Sequence, residues 1–363
     1  MSLAAPLSKT VAEFSIQFLQ FMDYQGHLSQ PLPDDITPQI LLTLYRAMTL
    51  TRLFDTKAIN LQRTGQIGTY PSCYGQEAIG AGIGFAMRQE DVFYPYYRDH
   101  ATFLLRGVPM ADILTYWAGD ERGSAAEHQA DNQDFPICVP IADQCLHAAG
   151  GAFAFQYRQE PRVAVTTIGE GGTSQGDFYE AMNLAGAWQL PLVFVINNNQ
   201  WAISTPIQQQ TRCATMAQKA IAAGFEGMQV DGNDVVSMIY AMRYALEKAR
   251  RGDGPTLIEA LSYRLGDHTT ADDAQRYRST AEREAALALE PLRRLRAYLE
   301  KNLAWTQEQE RLMQHELTEE LAKIVAEFLQ RPPAAMTDMF DYLYATLPAS
   351  LQWQRTAVVN DYA

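Results

Sequence analysis

Short apolar runs alternate with stretches of helical periodicity through the middle of this chain. Three of these runs, VAVTTI at 163–168, LVFVI at 192–196 and TLIEA at 256–260, predict buried strands. The periodic stretch at 178–190, which lies between the first two runs, predicts a helix. Strand, helix and strand in succession are typical of a parallel sheet with right-handed crossovers. The predicted fold class is therefore α/β, with a parallel sheet and helices on both of its faces.

Helical sequence also flanks this region on both sides. Apolar positions near helical spacing predict one or two helices at 39–65. The segment GQEAIGAGIGFAM that follows predicts a helix whose many small residues allow close packing. Residues 281–329 are charged and amphipathic, which predicts a helical C-terminal region that ends near Pro332 and Pro333.

The first residues of the chain are interpreted as an arm that lies on a larger body. They contain a short apolar stretch that is predicted to be helical, followed by the linker PLPDDITP. We therefore divide the chain into an N-terminal arm and linker at 1–38, an α/β domain at 39–280, and a helical region at 281–363 packed on that domain.

Composition narrows the possible functions. The chain has 363 residues, of which 47% are apolar and 20% charged, as in a globular protein. A formal net charge of −13 argues against binding to nucleic acid or to an anionic membrane surface, since both need clustered Lys and Arg. No secretory signal and no membrane span are predicted. The four cysteines show neither a CxxC pair nor zinc-ligand spacing, which is typical of reduced cysteines in a cytoplasmic protein.

The segment IGEGGTSQGDFYEAMNLAGAWQLPLVFVINNNQWAIST at 168–205 is the most informative one. Glu170 lies in a Gly-rich turn directly after the first predicted strand, and Asn198 and Asn199 directly follow the second. Both strand ends lie at the edge of a parallel sheet where α/β proteins bind ligands, so an acid and an amide are expected to face each other across a crevice.

Oxygen donors of this kind suit Mg²⁺, which usually takes phosphate oxygens as further ligands. The glycines of the turn would let backbone N–H groups approach those phosphates near the start of the next helix. These glycines are Gly169, Gly171 and Gly172. The predicted ligand is a metal-bridged diphosphate.

Two commoner phosphate motifs fail in the same segment. A dinucleotide fingerprint that begins at Gly169 has Ser174 at its third glycine position. A P-loop that begins at Gly171 has Asp177 and Phe178 where Lys and Ser or Thr are required. An ordinary strand-to-helix turn is the structural alternative, but the acid, the helix, the second strand and the Asn pair in this order favour a ligand site.

The segment resembles the thiamine-diphosphate motif, which opens with Gly-Asp-Gly and closes with Asn-Asn. Here Glu170 replaces the usual Asp and keeps the carboxylate. The resemblance extends over about residues 41–347 and is greatest to alpha subunits of the decarboxylating component of 2-oxo acid dehydrogenase complexes. The segments that carry it are YGQEAIGAG, YYRDH, NNNQWAIST, VDGNDV and YRLGDHTTADDAQRYRS, of which the last is the most specific to the family.

This resemblance implies a thiamine-diphosphate-binding fold, with thiamine diphosphate and Mg²⁺ as cofactors. Glu170 and Asn199 would bind the metal through their side chains, and Trp201 through its backbone carbonyl. Arg98 would bind diphosphate oxygens, for which a planar fork of donors is well suited. The residues that the resemblance implies for cofactor binding are Tyr97, Arg98, Val139, Ile141, Gly169, Glu170, Gly171, Gly172, Asn199 and His268.

Some of these residues also have an ordinary structural interpretation. Val139 and Ile141 would hold the aminopyrimidine ring, but plain buried aliphatic side chains are the alternative for both. His268 would be the catalytic residue that steadies the reacting carboxylate or the diphosphate, whereas a solvated loop histidine is its alternative. The arginines around His268 are expected to order this loop against the phosphates, and the aspartates are expected to pair with these arginines, whereas an ionic loop satisfied within itself is the alternative. They are Arg264, Asp272, Asp273, Arg276 and Arg278.

The resemblance also implies partners. The cofactor would decarboxylate a 2-oxo acid, and the acyl group would pass to the lipoyl acyltransferase component of the complex. In two-chain members of the family the glutamate that activates the cofactor comes from a beta subunit, so an α2β2 heterotetramer is expected. This chain alone would then be inactive.

Pyruvate is the predicted substrate, with branched-chain 2-oxo acids and acetoin as alternatives. Asn197, which replaces an arginine common in branched-chain relatives, favours pyruvate, whereas Glu170 partly favours the branched-chain group. Branched-chain relatives have hydroxyl residues in this region that can bind potassium. Cys138 and Asp143 replace two of them here, so a potassium site is not expected. A dinucleotide-binding oxidoreductase and a non-catalytic scaffold paralogue are the alternatives outside this class.

Overall fold

A parallel sheet forms the centre of the molecule. The computed structural model describes residues 9–124, 133–341 and 343–362. Its strands are β1 (Phe18–Leu19), β2 (Val92–Tyr94), β3 (Ala164–Gly169), β4 (Leu192–Asn198), β5 (Trp201–Ala202), β6 (Thr205–Pro206), β7 (Glu226–Asp231) and β8 (Thr256–Leu261). Six of them form one sheet in the order β1-β7-β8-β4-β3-β2, with every neighbouring pair parallel. Strands β5 and β6 form a separate antiparallel hairpin.

Helices cover the sheet and extend the chain beyond it. In the described part they are α1 (Pro38–Arg63), α2 (Glu77–Ala86), α3 (His100–Leu105), α4 (Met110–Trp117), α5 (Asp143–Arg158), α6 (Gly176–Trp188), α7 (Ile207–Gln210), α8 (Lys219–Ala222), α9 (Val235–Arg250), α10 (Thr280–Leu287), α11 (Pro291–Asn302), α12 (Gln307–Gln330), α13 (Asp338–Asp341) and α14 (Ala349–Tyr362). Among the described residues, none of these helices is long and apolar enough to cross a membrane.

The core has two parts, one on each face of the sheet. Along β4, Val193 and Val195 belong to the hydrophobic cluster that includes α1, α2 and α9, whereas Phe194 and Ile196 belong to the cluster that includes α5 and α6. Because successive side chains of a strand point to opposite faces, a strand covered on both sides is apolar throughout. The prediction of an α/β fold with helices on both faces is therefore confirmed.

The N-terminal arm is extended, so the prediction of a helical piece there is wrong. Strand β1 pairs in parallel with β7 at the edge of the sheet. The apolar residues Phe14, Ile16 and Phe18 alternate with polar ones, and this period of two favours a strand over a helix. The arm is held by Asp234, whose Oδ2 accepts hydrogen bonds from the backbone N–H groups of Phe21 (2.8 Å) and Met22 (2.7 Å).

The helical C-terminal region is confirmed, but it is divided into separate helices. Helix α11 begins at Pro291, and α12 begins after Thr306, whose side chain and Gln309 form a capping box. Helix α12 ends directly before Arg331, next to the predicted proline break. The division of the chain after residues 38 and 280 stays a prediction.

The register of the sheet brings four loops together. Gly169 at the end of β3 lies beside Asn197 of β4, which in turn lies beside Ala260 of β8. On the other side of β3, Tyr94 at the end of β2 lies beside Thr166. The loops that follow β2, β3, β4 and β8 therefore leave the sheet at the same edge, and they carry most of the residues that the sequence singled out.

Candidate functional site

A cleft of about 390 Å³ opens at this edge of the sheet. Ten of the predicted site residues line it: Tyr97, Arg98, Ile141, Gly169, Glu170, Gly171, Gly172, Asn199, Trp201 and His268. Val139 lies outside this lining, although it is only two residues from Ile141, and its side chain is largely exposed. The structure thus brings together residues that are up to 171 positions apart in the chain, from Tyr97 to His268.

The Gly-rich turn after β3 is a tight 3₁₀ turn at Glu170–Ser174. A Cβ atom on Gly172 would lie 2.7 Å from Cγ1 of Ile168 and 3.0 Å from Cγ2 of Ile141, so a larger residue does not fit there. A Cβ atom on Gly171 would lie 2.5 Å from Cβ of Ala202. These glycines bring the backbone of the turn close to its neighbours at the floor of the cleft, as a phosphate-binding turn requires.

Glu170 supplies a buried carboxylate to the cleft. Its side chain is only 1% exposed. Oε2 accepts a hydrogen bond from the backbone N–H of Asn199 (3.2 Å), and Oε1 accepts one from Nε2 of Gln210 (3.4 Å). Burial raises the pKa of the Glu170 carboxyl. Within the described part of the chain no Lys, Arg or His forms an ion pair with this carboxylate. Its two oxygens therefore fit a metal cation that binds together with a ligand.

The loop after β4 places an amide and a carbonyl next to this carboxylate. Oδ1 of Asn199 accepts a hydrogen bond from the backbone N–H of Trp201 (3.2 Å). The carbonyl of Trp201 accepts one from Nη1 of Arg264 (3.2 Å), and this guanidinium competes with a metal for the same oxygen. Glu170, Asn199 and Trp201 line the same cleft, and metal binding by all three stays a prediction.

Two buried arginines lie near the same cleft. Arg98 is 4% exposed, and it donates hydrogen bonds to the carbonyls of Ser72 and His268 (2.7 Å to the latter). Arg264 lies behind the cleft wall and donates to the carbonyl of Ile203 (2.8 Å). Among the described residues neither arginine has a carboxylate within 4.0 Å. Their charges leave this side of the cleft positive, which suits an anion such as a diphosphate.

His268 is held in one tautomer by these arginines. Its Nδ1 lies 3.0 Å from Nη2 of Arg98 and 3.4 Å from Nη1 of Arg264. Since a guanidinium only donates, Nδ1 must be the acceptor and the proton is on Nε2. Burial, Arg98 and Arg264 together lower the pKa of His268 to about 3. The residue is therefore a neutral imidazole that offers an Nε2–H donor.

The loop around His268 is satisfied within itself. Arg278 donates hydrogen bonds to the backbone carbonyls of Arg264 and Gly266. Asp272 accepts from the backbone N–H of His268 (2.8 Å) and from the hydroxyl of Tyr277. In the described part of the loop neither Asp272 nor Asp273 forms an ion pair with an arginine, and Asp273 instead accepts from the backbone N–H of Gln275 (3.2 Å), so the expected pairing between these aspartates and arginines is wrong.

Comparison with known families identifies the chain at the level of the family. Residues 45–337 match the family model described as Dehydrogenase E1 component. The chain belongs to this family. Members of the E1 component family are thiamine-diphosphate-dependent, so the resemblance seen in the sequence and the prediction of a 2-oxo acid dehydrogenase component are confirmed.

Curated relatives of this E1 component chain cover almost its whole length. It is 40% identical over 321 residues to the 3-methyl-2-oxobutanoate dehydrogenase subunit alpha of Mycobacterium tuberculosis, which covers 88% of this chain and 87% of that protein. It is 38% identical to the pyruvate dehydrogenase E1 component subunit alpha of Mycoplasma genitalium, over 93% of this chain and 94% of that protein. It is 35% identical to the pyruvate dehydrogenase E1 component subunit alpha of Bacillus subtilis, over 97% of each chain.

Two residues that the sequence did not single out form hydrogen bonds to residues at the cleft of this E1 component chain. Glu259 on β8 is buried, and its Oε1 accepts a hydrogen bond from Nδ2 of Asn198 (2.6 Å), which orients the loop that carries Asn199. A charged residue inside the apolar run TLIEA was the available signal. Gln210 contacts Glu170 across 40 residues of sequence, and its position in a run of three glutamines gave no signal.

Proposed function

We propose that this chain is the alpha subunit of a 2-oxo acid dehydrogenase and holds the diphosphate and Mg²⁺ of thiamine diphosphate at the carboxyl edge of its sheet. One observation carries the proposal. The buried carboxylate of Glu170, which lacks a cationic side-chain partner in the described part of the chain, lines the same cleft as the buried guanidinium of Arg98, which lacks a carboxylate partner there. A divalent cation would compensate the first charge and a diphosphate the second.

Different residues of this chain would bind different parts of the cofactor. Glu170 and Asn199 would bind Mg²⁺ through their side-chain oxygens, with the carbonyl of Trp201 as a further oxygen. Backbone groups of the turn at Glu170–Ser174 and the side chain of Arg98 would hold the diphosphate. Val139 and Ile141 would hold the aminopyrimidine ring, and Tyr97 would contact the cofactor.

When bound, thiamine diphosphate supplies the carbon nucleophile and the electron sink for decarboxylation of a 2-oxo acid. His268 offers its Nε2–H as a hydrogen-bond donor to an anionic carboxylate or a developing oxyanion in the cleft. Arg98 and Arg264 fix this orientation through Nδ1 and keep the imidazole neutral. Ile141 and the neighbouring aliphatic side chains of the cleft would reduce the access of water once a partner chain covers their exposed surface.

The exposed rim of the cleft supports a partner chain. Ile141 and Ile203 are 40% and 54% exposed although both line the cleft, and Val139, two residues before Ile141, is also exposed. A beta subunit that covers this rim would bury them and complete the cofactor site. The relatives are named alpha subunits, which favours an α2β2 heterotetramer that passes its acyl group to a lipoyl acyltransferase component. A cytoplasmic location belongs to the same proposal.

We propose pyruvate as the substrate, in line with the pyruvate dehydrogenase relatives and with Asn197. A branched-chain 2-oxo acid is the second candidate, because the 40% identical relative is named for 3-methyl-2-oxobutanoate and because Glu170 favours that group. The ratio of kcat/KM for pyruvate and for 3-methyl-2-oxobutanoate, measured with the complete complex, decides between them. A tenfold preference for the branched substrate would replace pyruvate.

Calorimetry tests the cofactor proposal. Thiamine diphosphate is titrated into the chain co-expressed with its beta subunit, with and without Mg²⁺, beside the variants Glu170→Ala and Glu180→Ala. We expect binding that depends on Mg²⁺ and that Glu170→Ala weakens by at least about a hundredfold. Glu180 lies exposed on the next helix, so its variant should bind like the wild type. Absence of Mg²⁺-dependent binding in a well-folded wild-type assembly would refute the proposal and favour a scaffold role.

A further inference from the structure

Gln210 has an unusual position beside the carboxylate of Glu170. It lies at the end of the short helix α7, and its Nε2 donates hydrogen bonds to Oε1 of Glu170 (3.4 Å) and to the carbonyl of Thr205 (2.9 Å). Both partners are acceptors only, so the orientation of the amide is fixed chemically and Oε1 must point away from them.

The Oε1 atom of Gln210 is buried and has no hydrogen-bond partner. It faces the glycine turn, since a Cβ atom on Gly171 would lie 3.7 Å from it. A buried acceptor without a donor is costly, and such atoms in folded proteins usually meet a donor that belongs to a ligand or to ordered water. The amide of Gln210 therefore lies between the carboxylate proposed for the metal and the turn proposed for the diphosphate.

The chemistry of Mg²⁺ supplies a donor for this atom. The ion demands six oxygen ligands and gives up its water reluctantly. With Glu170 bound through one oxygen, Glu170, Asn199 and the Trp201 carbonyl provide three oxygens, and the diphosphate provides others, so water would complete the coordination. Water bound to Mg²⁺ is a strong hydrogen-bond donor, and Gln210 offers an unpartnered acceptor next to the proposed metal ligand.

We infer that Gln210 is a positioning residue of the metal site, one that acts through both ends of its amide. Its Nε2–H holds the Glu170 carboxylate in place for the metal, and its Oε1 accepts a hydrogen bond from water on the metal. This inference rests on the proposed function, since it presupposes that Mg²⁺ binds at Glu170. It goes further by assigning the strength of metal binding to a residue outside the metal's own ligands.

The chain provides a matched control for this inference. Gln208 and Gln209 belong to the same helix and the same run of glutamines, but both are exposed. Gln210→Met removes the donor and the acceptor at nearly constant size, and Gln208→Met makes the same change on the exposed side. Gln210→Glu keeps an acceptor oxygen and adds negative charge next to the metal.

The experiment measures two dissociation constants in the α/β assembly: that of Mg²⁺ at saturating thiamine diphosphate, and that of thiamine diphosphate at saturating Mg²⁺. We expect Gln210→Met to raise the Mg²⁺ constant about tenfold and to leave the thiamine diphosphate constant within about twofold. Gln210→Glu loses the N–H but keeps an acceptor oxygen, so it should bind Mg²⁺ more tightly than Gln210→Met does, and Gln208→Met should match the wild type in both constants. Thermal unfolding of each metal-free variant checks that it is folded.

Each other outcome overturns the inference in a recognisable way. Equal dissociation constants of Mg²⁺ for Gln210→Met and Gln208→Met would mean that Gln210 stabilises its own loop and has no part in metal binding. Parallel weakening of both constants would indicate general damage to the site. Mg²⁺ binding by Gln210→Glu that is no tighter than binding by Gln210→Met would exclude the acceptor role. A wild type without Mg²⁺-dependent binding would refute the proposed function itself, which distinguishes that failure from the others.

Discussion

The neighbours of His268 determine both the position and the protonation state of its imidazole. Burial and the guanidinium groups of Arg98 and Arg264 lower its pKa to about 3. In the cofactor-free α/β assembly we therefore expect a neutral imidazole throughout the range from pH 5 to pH 8. Exchange of the imidazole C2 hydrogen with deuterium, followed by mass spectrometry of the peptide, measures this pKa directly.

Two comparisons sharpen this prediction. In the unfolded protein the same peptide should show an inflection near the ordinary value of 6.5. In the folded variant Arg98→Met, which removes one of the two charges, the pKa of His268 should rise. An inflection near 6.5 in the folded wild type would mean that the arginines do not control the imidazole, and the role given to its Nε2–H would lose its basis.

His100 is a second histidine with a depressed pKa, and it affects stability. Its side chain is fully buried, neither ring nitrogen has a hydrogen-bond partner, and Tyr70 and Phe54 lie against the ring. Burial and then Arg98 lower its pKa to about 3. The unfolded chain takes up this proton near pH 6.5 and the folded chain does not, so stability falls as the pH drops from 6.5 towards 3.

The size of this effect can be tested with a variant that cannot titrate. At pH 5, His100 should reduce the free energy of unfolding by about 2 kcal/mol relative to pH 7. The variant His100→Leu should therefore lose less stability between pH 7 and pH 5 than the wild type does. Urea unfolding at both pH values measures the difference, and His315→Leu on the exposed side of α12 is the control. An identical pH dependence in His100→Leu and the wild type would contradict the prediction.

At the scale of elements, Asp234 joins the N-terminal arm to the sheet. Its Oδ1 caps α9 by accepting from the backbone N–H of Val236 (3.1 Å), while its Oδ2 binds the backbone of Phe21 and Met22. Asp234→Ala removes the cap and leaves the backbone N–H of Met22 without an acceptor, whereas the N–H of Phe21 keeps Oγ of Ser237 (2.9 Å). We expect a loss of about 2–4 kcal/mol in the free energy of unfolding.

Hydrogen exchange localises this effect. Amides of the peptide that contains Phe21 and Met22 should exchange faster in Asp234→Ala than in the wild type, because the arm detaches first. The control Asp253→Ala removes an exposed carboxylate whose only ion pair in the described part is with Arg251, and it should leave both stability and exchange unchanged. Unchanged protection of the arm in Asp234→Ala would show that β1 and the hydrogen bonds of the arm with Ser237 and Arg294 hold it without Asp234.

The sequence predicted elements well where one physical signal acted alone. The apolar runs that became β3, β4 and β8 were placed to within two residues, because strands covered on both faces must be apolar throughout. The helix after β3 begins at Gly176, two residues before the predicted start, since Gln175 is extended and Gln189 ends the helix in a left-handed conformation. The arm was misjudged because its apolar residues were read without their alternation.

The candidate site could be predicted only in part, for a different reason. Glu170 and Asn199 follow strands, and adjacent parallel strands bring such residues together whatever the rest of the fold. Gln210 and Glu259 reach the site through side-chain contacts with Glu170 and Asn198, and those contacts depend on how loops fold over the sheet. The local sequence marked Glu259 only as a charged residue in an apolar run and gave no signal at Gln210, so the contacts of both residues appear only in the structure.

At the scale of the whole molecule, the cleft is incomplete on its exposed side. Ile141 and Ile203 line it and still face solvent over 40% and 54% of their surface. The expected reaction requires that water is excluded and that a basic side chain contacts the cofactor. A cleft that is open on one side does not meet these requirements. We therefore expect the chain expressed alone to show no measurable decarboxylation of 2-oxo acids, even with Mg²⁺ and thiamine diphosphate at saturation.

Reconstitution tests this expectation, with assembly and activity measured on the same samples. Mixing the chain with its beta subunit should give a particle that contains two copies of each, by light scattering after size-exclusion chromatography, and decarboxylation should appear with it. The variant Ile203→Asp places a charge on the exposed rim without touching the predicted ligands, and it should weaken assembly and activity together. Ile203→Val keeps an aliphatic side chain there and should assemble normally. Activity from the chain alone would mean that its own residues complete the site, and the rim would then need another explanation than a beta subunit.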